Sequence, residues 1–440
     1  MKIAMHSIII FSMVLFFVNP VVKGQDTAWT LQTCIDYALK ENIQVQKTEL
    51  TNNSNLVYEK QSRAQRFPSL NASIGQNFYW NKSDTAGNGF NGSNRTLYSM
   101  NSSMPLYNGF KINNKIKQSE INFKSGQYNL EATKESISLN VLNAYLQVLY
   151  AEELVKTNEV QLQSTNEQLK LADQRMSIGL IAKSDYMQVK SQFATENFNL
   201  ANAKSQLITD RLNLMQIMQY PVSDSFKIFH PDLGSLIVFQ KKPDKDSIYN
   251  VAMDIKPQIK SAALNKESAL LGEKIAKADY WPKLSLDASL GTNYTSLNNS
   301  NYSNQVNQYL QPFFGLSLGI PIYQNRLVKT EVEIAKIGMA NAELDELNTK
   351  TLLRQNIEQA SVDVTTAQIK YDASMEQYNA AHESYVLASE KFSNGLINSV
   401  DYTIQKTNLN VAESQLLQAK YNLIFSYKIL DFYSGIPLSL

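Results

Sequence analysis

Two aspartates carry the most suggestive chemistry in this chain. Asp185 stands six residues after Gly179 and Asp401 six after Gly395, in the matched stretches Gly179-Leu180-Ile181 and Gly395-Leu396-Ile397. A carboxylate near the start of a helix is favoured by the positive end of the helix dipole and can cap it, and Ser184 and Ser399 lie close by. Other chemistry is sparse. After the first 24 residues the histidines are His230 and His382, and Cys34 is the single cysteine, so no His/Cys metal cluster can be drawn. His382-Glu383 lacks the second histidine of the zinc-protease pattern. No Gly-rich phosphate loop, nucleophile elbow or Ser/His/Asp set is present. Carboxylates elsewhere are mixed with Lys, Gln and Asn, as on solvated coiled-coil faces. The reading is of a protein that is not an enzyme and that needs no cofactor and no metal.

The two aspartates belong to a longer repetition. Pro105-Leu-Tyr-Asn matches Pro321-Ile-Tyr-Gln, the glycine-to-aspartate stretches match, and Pro221 matches Pro437, all 216 residues apart. Upstream the offset is 214, since Pro68 before Leu70-Asn-Ala-Ser-Ile-Gly75 pairs with Pro282 before Leu286-Asp-Ala-Ser-Leu-Gly291. A tandem repeat of this length implies a pseudo-symmetric architecture.

Bulk properties narrow the classes further. Lys2, the apolar run Ile8 to Val18 and Val22-Lys23-Gly24 form a secretory signal over residues 1–24. That run is too short to span a bilayer, and no later segment reaches the roughly 20 apolar residues a transmembrane helix needs. Membrane insertion must then use strands. Without Lys2 and Lys23 the 41 basic residues fall to 39, against 40 acidic, which gives no basic excess for nucleic acid. A single cysteine excludes an intrachain disulfide, and Cys34 reads as a small apolar helix residue.

The elements that would position the aspartates follow from periodicity. Residues from Thr30 to Phe67 read as one helix that Pro68 stops. Leu70, Ala72, Ile74, Phe78 and Trp80 then alternate with Asn71, Ser73, Gly75 and Asn77, giving a strand with one apolar and one polar face. A polar loop, Asn81 to Asn94, leads to a second strand with Tyr98, Met100, Met104 and Leu106 on one side. The second repeat alternates more clearly, through Leu284, Leu286, Ala288, Leu290 and Tyr294, then Phe314, Leu316, Leu318, Ile320 and Ile322. Aromatic residues collect at the strand ends, among them Tyr79, Trp80, Tyr107, Tyr280, Trp281, Tyr309 and Tyr323. Alternation, aromatic ends and long polar loops together are the signature of barrel strands in a membrane. Four strands cannot close a barrel, because the smallest have about eight, so the barrel must be shared between copies of the chain.

Past Gly109 a helix of about 67 residues follows, with large residues every seven (Val148, Val155, Leu162, Leu169, Met176; then Val364, Tyr371, Tyr378, Tyr385, Phe392) and small ones between them (Ala151, Ala172, Ala367, Ala388). The returning arms also keep sevens, through Tyr186, Phe193, Leu200, Leu207 and Leu214, and through Tyr402, Leu409, Leu416, Leu423 and Leu430. At about 1.5 Å per residue the long arm measures roughly 100 Å, the length of two shorter helices end to end. The expected division is a first repeat over 25–220 with a β-hairpin at 68–107 and a tip at 177–185, a connector over 221–247 outside the rods, and a second repeat over 248–440 with a hairpin at 282–323 and a tip at 393–401.

These pieces resemble a TolC-like outer-membrane efflux protein. The resemblance rests on Thr30-Leu…Ala38-Leu…Glu41-Asn42, on Phe67-Pro68 and Trp281-Pro282 at the strand entries, and on the paired tips Gly179-Leu180 and Gly395-Leu396 with an Asp six residues beyond each glycine. It implies a mostly α fold with transmembrane β: long coiled-coil helices plus β-hairpins, in a homotrimer whose 12-stranded β-barrel continues into a 12-helix α-barrel. It also implies an outer-membrane location in contact with lipid, a tunnel across the periplasm, and partnership with a periplasmic adaptor and an inner-membrane transporter. The function implied is passive export of small toxic compounds, with a type I protein secretion duct or a structural coiled-coil surface protein as alternatives. By the same resemblance Asp185 and Asp401 are lumenal gate candidates, here expected as acidic rings, and Phe392 holds a position often occupied by Tyr. Gly179, Leu180, Gly395 and Leu396 become the adaptor-docking tip. Ile397 and Ile404 depart from an Arg and an Asp of the family's pattern.

Overall fold

A seven-residue repeat of large apolar side chains needs partner helices along its whole length, and two helices of 67 residues set the frame of the molecule. The computed structural model describes residues 28–82, 90–223, 225–231 and 244–440. The expected signal segment 1–24, the part of the first hairpin loop at 83–89 and the connector stretch 232–243 with Lys241-Lys242 lie outside the described residues. In chain order the elements are α1 (Leu31–Glu41), α2 (Ile43–Ala64), β1 (Ser69–Lys82), β2 (Phe90–Tyr107), α3 (Lys111–Ser177) and α4 (Lys183–Met218). Then come α5 (Lys245–Ile255), α6 (Pro257–Lys277), β3 (Lys283–Thr295), α7 (Tyr302–Gln308), β4 (Gln311–Gly319), α8 (Leu327–Ser393) and α9 (Ser399–Tyr433).

Toward the strands the helices lie side by side in the order α2, α3, α6, α8. Toward the tips α4 packs on α3 and α9 on α8, and α9 also reaches back to α3 and α4. Each long helix is thus covered by two shorter ones in succession. The larger core forms where α1, α3, α4 and α9 meet, around Leu142, Tyr145, Leu149, Leu214 and Met218. A smaller one, around Ile248, Ala252, Leu353, Ile357 and Val364, is its repeat counterpart: Cys34 matches Ile248, Ala38 matches Ala252 and Val148 matches Val364. Cys34 is buried in the larger core, and burial pushes its thiol up to about 12.

The expected single entry helix is two helices. Asn42 leaves helical geometry at ψ 124°. Its Oδ1 accepts from the Gln44 and Val45 amides, and its Nδ2 donates to the Ile217 carbonyl at 2.9 Å. The second repeat breaks at the matched place, Lys256, whose ψ is 125°; Pro257 then begins α6, where its missing N–H leaves nothing unpaired. The connector also differs from a strap lying outside the rods. Phe226 and Ile228 are buried in the larger core, Ile228 bridges Trp29 in parallel, and the Tyr145 hydroxyl donates to the Phe229 carbonyl at 2.6 Å.

The four strands form one antiparallel sheet in the order β1-β2-β3-β4. Cross-strand partners place like with like. Ala72, Met100 and Leu290 share one face, as do Met104, Leu286 and Leu316, whereas Ser73, Ser99 and Gly291 share the other. Ser73 and Ser99 hydrogen bond at 2.7 Å on that polar face, and Leu70, Ile74, Phe78, Trp80, Leu316 and Leu318 stand exposed on the apolar one. β1 and β4 are unpaired edges. β4 ends at Gly319, so Ile320 and Ile322 lie beyond the strand, next to Pro321, which supplies no amide to the ladder. The second loop holds α7, pinned by the buried Gln305 side chain, which accepts from the Thr295 amide at 3.0 Å and donates to the Ser300 carbonyl at 2.8 Å.

Candidate functional site

The two tips are built alike. Gly179 (φ 77°) and Gly395 (φ 72°) close the long helices in the left-handed region, where a side chain is disfavoured. Gly179 donates to the Met176 carbonyl at 3.0 Å and Leu180 to that of Arg175 at 2.8 Å. The second tip repeats this, with Gly395 to Phe392 at 3.1 Å and Leu396 to Lys391 at 2.8 Å. A Cβ at either glycine would meet nothing within 4 Å, and Leu180 and Leu396 are exposed. Both tips therefore present an apolar side chain on a rigid turn with open space around it.

The aspartates differ. Neither is the N-cap: α4 follows Ala182, whose side chain caps nothing, and α9 is capped by Asn398, whose Oδ1 accepts from the Asp401 amide at 2.8 Å. Both sit in the first turn, where the dipole favours a carboxylate. Asp185 is half-buried and accepts a hydrogen bond from Ser399 Oγ at 2.6 Å, joining the two hairpins; Asp401 is exposed. The register explains the asymmetry, because Lys183 holds the place in the first tip that Ser399 holds in the second.

Between the tips lies a cleft of about 530 Å³, mostly apolar, lined by Leu180, Val189, Phe392, Ile397 and Tyr402, with Asp185, Arg175 and Asn398 among its polar groups. It brings together Leu180, Asp185, Phe392 and Gly395. Gly179, Leu396 and Asp401 stay outside its lining. Phe392 stacks on Tyr402 at 4.7 Å between centroids and 19° between planes. The Tyr402 hydroxyl meets Tyr385 Oη at 3.2 Å and accepts from Gln168 Nε2. Burial pushes the Tyr402 phenol up, so it stays protonated. Of the two positions that depart from the family's pattern, Ile397 lines the cleft and Ile404 is exposed.

Farther along the helices from the tips lies a polar cluster whose residue types resemble those of a solvated coiled-coil face. Glu196 on α4, Lys406 on α9 and Thr165 on α3 are all buried. Lys406 Nζ donates to Thr165 Oγ1, which donates to Glu196, and Lys406 and Glu196 lie 3.8 Å apart. Gln192 and Asn410 complete the carboxylate's shell at 2.9 and 3.2 Å. Burial holds the Lys406 ammonium below the usual lysine range, opposed by the Glu196 charge. One signal could have found this cluster: the repeat places Ala412 opposite Glu196 and Ala381 opposite Thr165, at small-residue positions of the helix seam. Among the described residues no group of His, Cys, Asp and Glu could hold a metal ion, and no helix is long and apolar enough to cross a membrane. His230 pairs with Glu152 at 2.6 Å, and His382 lies exposed near Tyr378.

Comparison with known proteins adds ancestry to this geometry. The model of the family described as outer membrane efflux protein matches residues 34–218 and 248–435. TolC of Escherichia coli (strain K12) is 24% identical over 306 residues, covering 67% of this chain and 60% of TolC. This chain thus spans about three fifths of the length of the TolC relatives it matches. Toxin and drug export protein A of Aggregatibacter actinomycetemcomitans is 20% identical over 400 residues, 90% of this chain and 83% of that one. The solved CmeC outer membrane channel of Campylobacter jejuni superposes with a TM-score of 0.77 at 18% identity, over 92% of this chain and 85% of that chain, a likeness of fold.

Proposed function

The chain belongs to the outer membrane efflux protein family, and from that premise we propose that it is a passive exit duct in the outer membrane. Three copies close a barrel of twelve strands that continues into a helical tunnel through the periplasm. The observation that carries this reading is the four-stranded sheet: one apolar face, one polar face and two unpaired edges. An unpaired edge is costly in lipid, where no water satisfies its amides, and closure with neighbouring copies removes that cost. The apolar face then meets lipid and the polar face lines the lumen.

Two repeats, 25–220 and 248–440, joined by the connector 221–247, let each copy supply two hairpins to each end of the duct. Residues 1–24 act as the export signal. The tips at 177–185 and 393–401 meet a periplasmic adaptor, with Gly179 and Gly395 permitting close approach of Leu180 and Leu396. Asp185, Asp401 and Phe392 border the mouth. Energy comes from an inner-membrane transporter, and the cargo is small toxic compounds. Protein cargo through a type I system is the second reading; the similar toxin and drug export protein A is by its name an exporter of toxins as well as drugs. In cells lacking this protein, restoring it should return resistance to toxic compounds only when adaptor and transporter are both present. Resistance that returns without them would count against the duct.

A further inference from the structure

The helix layer ends in two flanks, α2 and α8, whose side chains are exposed at positions where their repeat counterparts are buried. Val57 on α2 is 63% exposed and its counterpart Leu271 on α6 is 7% exposed; Ile337 on α8 is 62% exposed and its counterpart Ile121 on α3 is 9% exposed. Counterparts are fixed by structure as well as by sequence. The helix breaks at Asn42 and Lys256 set the offset of 214 for α2 and α6, and the left-handed residues Phe110 and Arg326 set 216 for α3 and α8. Because α2 packs on α3 as α6 packs on α8, the face that is covered on α6 and bare on α2 is the one α6 turns to α3. The bare flanks of α2 and α8 are therefore the two halves of a second α3–α6 seam.

Inside the chain that seam is fastened by Ser261 on α6. Its hydroxyl donates to Asn129 Oδ1 at 2.7 Å and meets Ser125 Oγ at 2.9 Å, both on α3. Carried across by the offsets, Ser261 becomes Lys47 and Asn129 becomes Asp345. A neutral hydrogen bond in the covered seam thus becomes a pair of opposite charges on the bare one. Both residues are exposed, and neither side chain has a hydrogen bond or ion pair among the described residues. Within one chain α3 and α6 separate them, so they cannot meet. At the tip the same rule turns the Ser399–Asp185 bond into a facing of Lys183 and Asp401, again opposite charges and both exposed.

We propose that Asp345 pairs with Lys47 of a second copy of this chain, which sets the axial register of α8 of one copy along α2 of the next. Lys183 and Asp401 are the corresponding pair at the tip. This inference rests on the multi-copy reading of the function and adds which residues touch. Each charge stays solvated on the lone chain and finds its partner only on assembly, where partial burial strengthens the attraction. Not every link is carried across: Leu327 and Gln65 stand where Lys111 and Asp279 form an ion pair.

The test uses the full chain in outer membranes. Lys47→Cys and Asp345→Cys are combined and treated with a short bis-maleimide; Cys34 stays in place because it is buried. We expect covalent dimers and trimers on denaturing gels from the double variant and none from either single variant. In parallel, Lys47→Glu and Asp345→Lys should each lower the fraction of oligomer that survives mild detergent heating several-fold, and their combination should restore it. A parent that runs as a trimer, with no cross-link and no rescue by the charge swap, overturns this pairing alone. A parent that is monomeric in the membrane overturns the duct reading and the pairing together.

Discussion

The two repeats share a backbone and differ in where they put polar groups. Each tip turn closes with the same pair of hydrogen bonds. Yet Asp185 is tied to Ser399 while Asp401 faces solvent, and the first repeat carries the buried Glu196 where the second has Ala412. Lys406 is buried and its counterpart Lys190 is exposed. The difference follows from which surfaces are covered within one chain. The seam between repeats forms on folding, so a buried Glu–Lys pair there always has its partner. In the proposed duct the outer flanks stay bare until another copy arrives, and unpaired charges survive there only if water reaches them. The chain buries its paired polar and charged fasteners inside and leaves unpaired charges on the flanks.

This contrast should break first at Lys406. Lys406→Met leaves Glu196 buried without its cation, and the expected loss is about 3–5 kcal/mol of stability, measured by chemical unfolding in detergent. Lys190→Met should stay within about 0.5 kcal/mol. Equal losses at the two positions would erase the distinction between covered seam and bare flank.

The tips should behave alike. Gly179→Ala and Gly395→Ala each force a side chain into the left-handed region, at about 1–2 kcal/mol. A bulky residue at either glycine should abolish export while the oligomer remains intact. Export that continues normally in both bulky variants would remove the tips from the docking account. A smaller asymmetry is expected for the carboxylates. Asp185→Asn weakens the Ser399 bond by about 1 kcal/mol, whereas in the separate chain Asp401→Asn loses only a dipole contribution of roughly 0.3–1 kcal/mol. Together the two changes should lower the cation selectivity of the pore, and unchanged selectivity would show that neither aspartate faces the lumen.

The smallest effect concerns Cys34. With its thiol pushed up from 9.0 to about 12 by burial, unfolding favours proton release above pH 9. Its contribution to stability is complete below pH 9 and is lost as pH rises toward 12. At pH 8 a maleimide should label the unfolded chain and spare the native one; rapid native labelling would contradict the burial.

Much of this architecture is legible in the sequence because periodic burial writes it there. Val148 and Val364 sit at matched heptad positions and both are buried; Ala72, Met100 and Leu290 alternate and share one face of the sheet. The break at Asn42 escapes notice because an asparagine that caps a helix has the composition of one inside it, and Pro257 marks the matched break only once the repeats are aligned. Phe226 and Ile228 read as connector since two buried residues make no period. Glu196 and Lys406 resemble any exposed charges on a coiled coil until Ala412 shows that the position belongs to the seam. At the site, the glycine turns are legible from the repeat, whereas the cleft, the Phe392–Tyr402 stack and the Ser399–Asp185 bond depend on how the hairpins lean together.

The most direct test of the duct is the single-channel conductance of the purified protein in planar bilayers, once its oligomer mass in detergent is known. The account predicts discrete conductance steps from a trimer, with larger or more frequent steps after Asp185→Asn weakens the bond between the two tips. A stable trimer that remains silent, both as the parent and as the Asp185→Asn variant, would contradict a pore and favour a structural coiled-coil role.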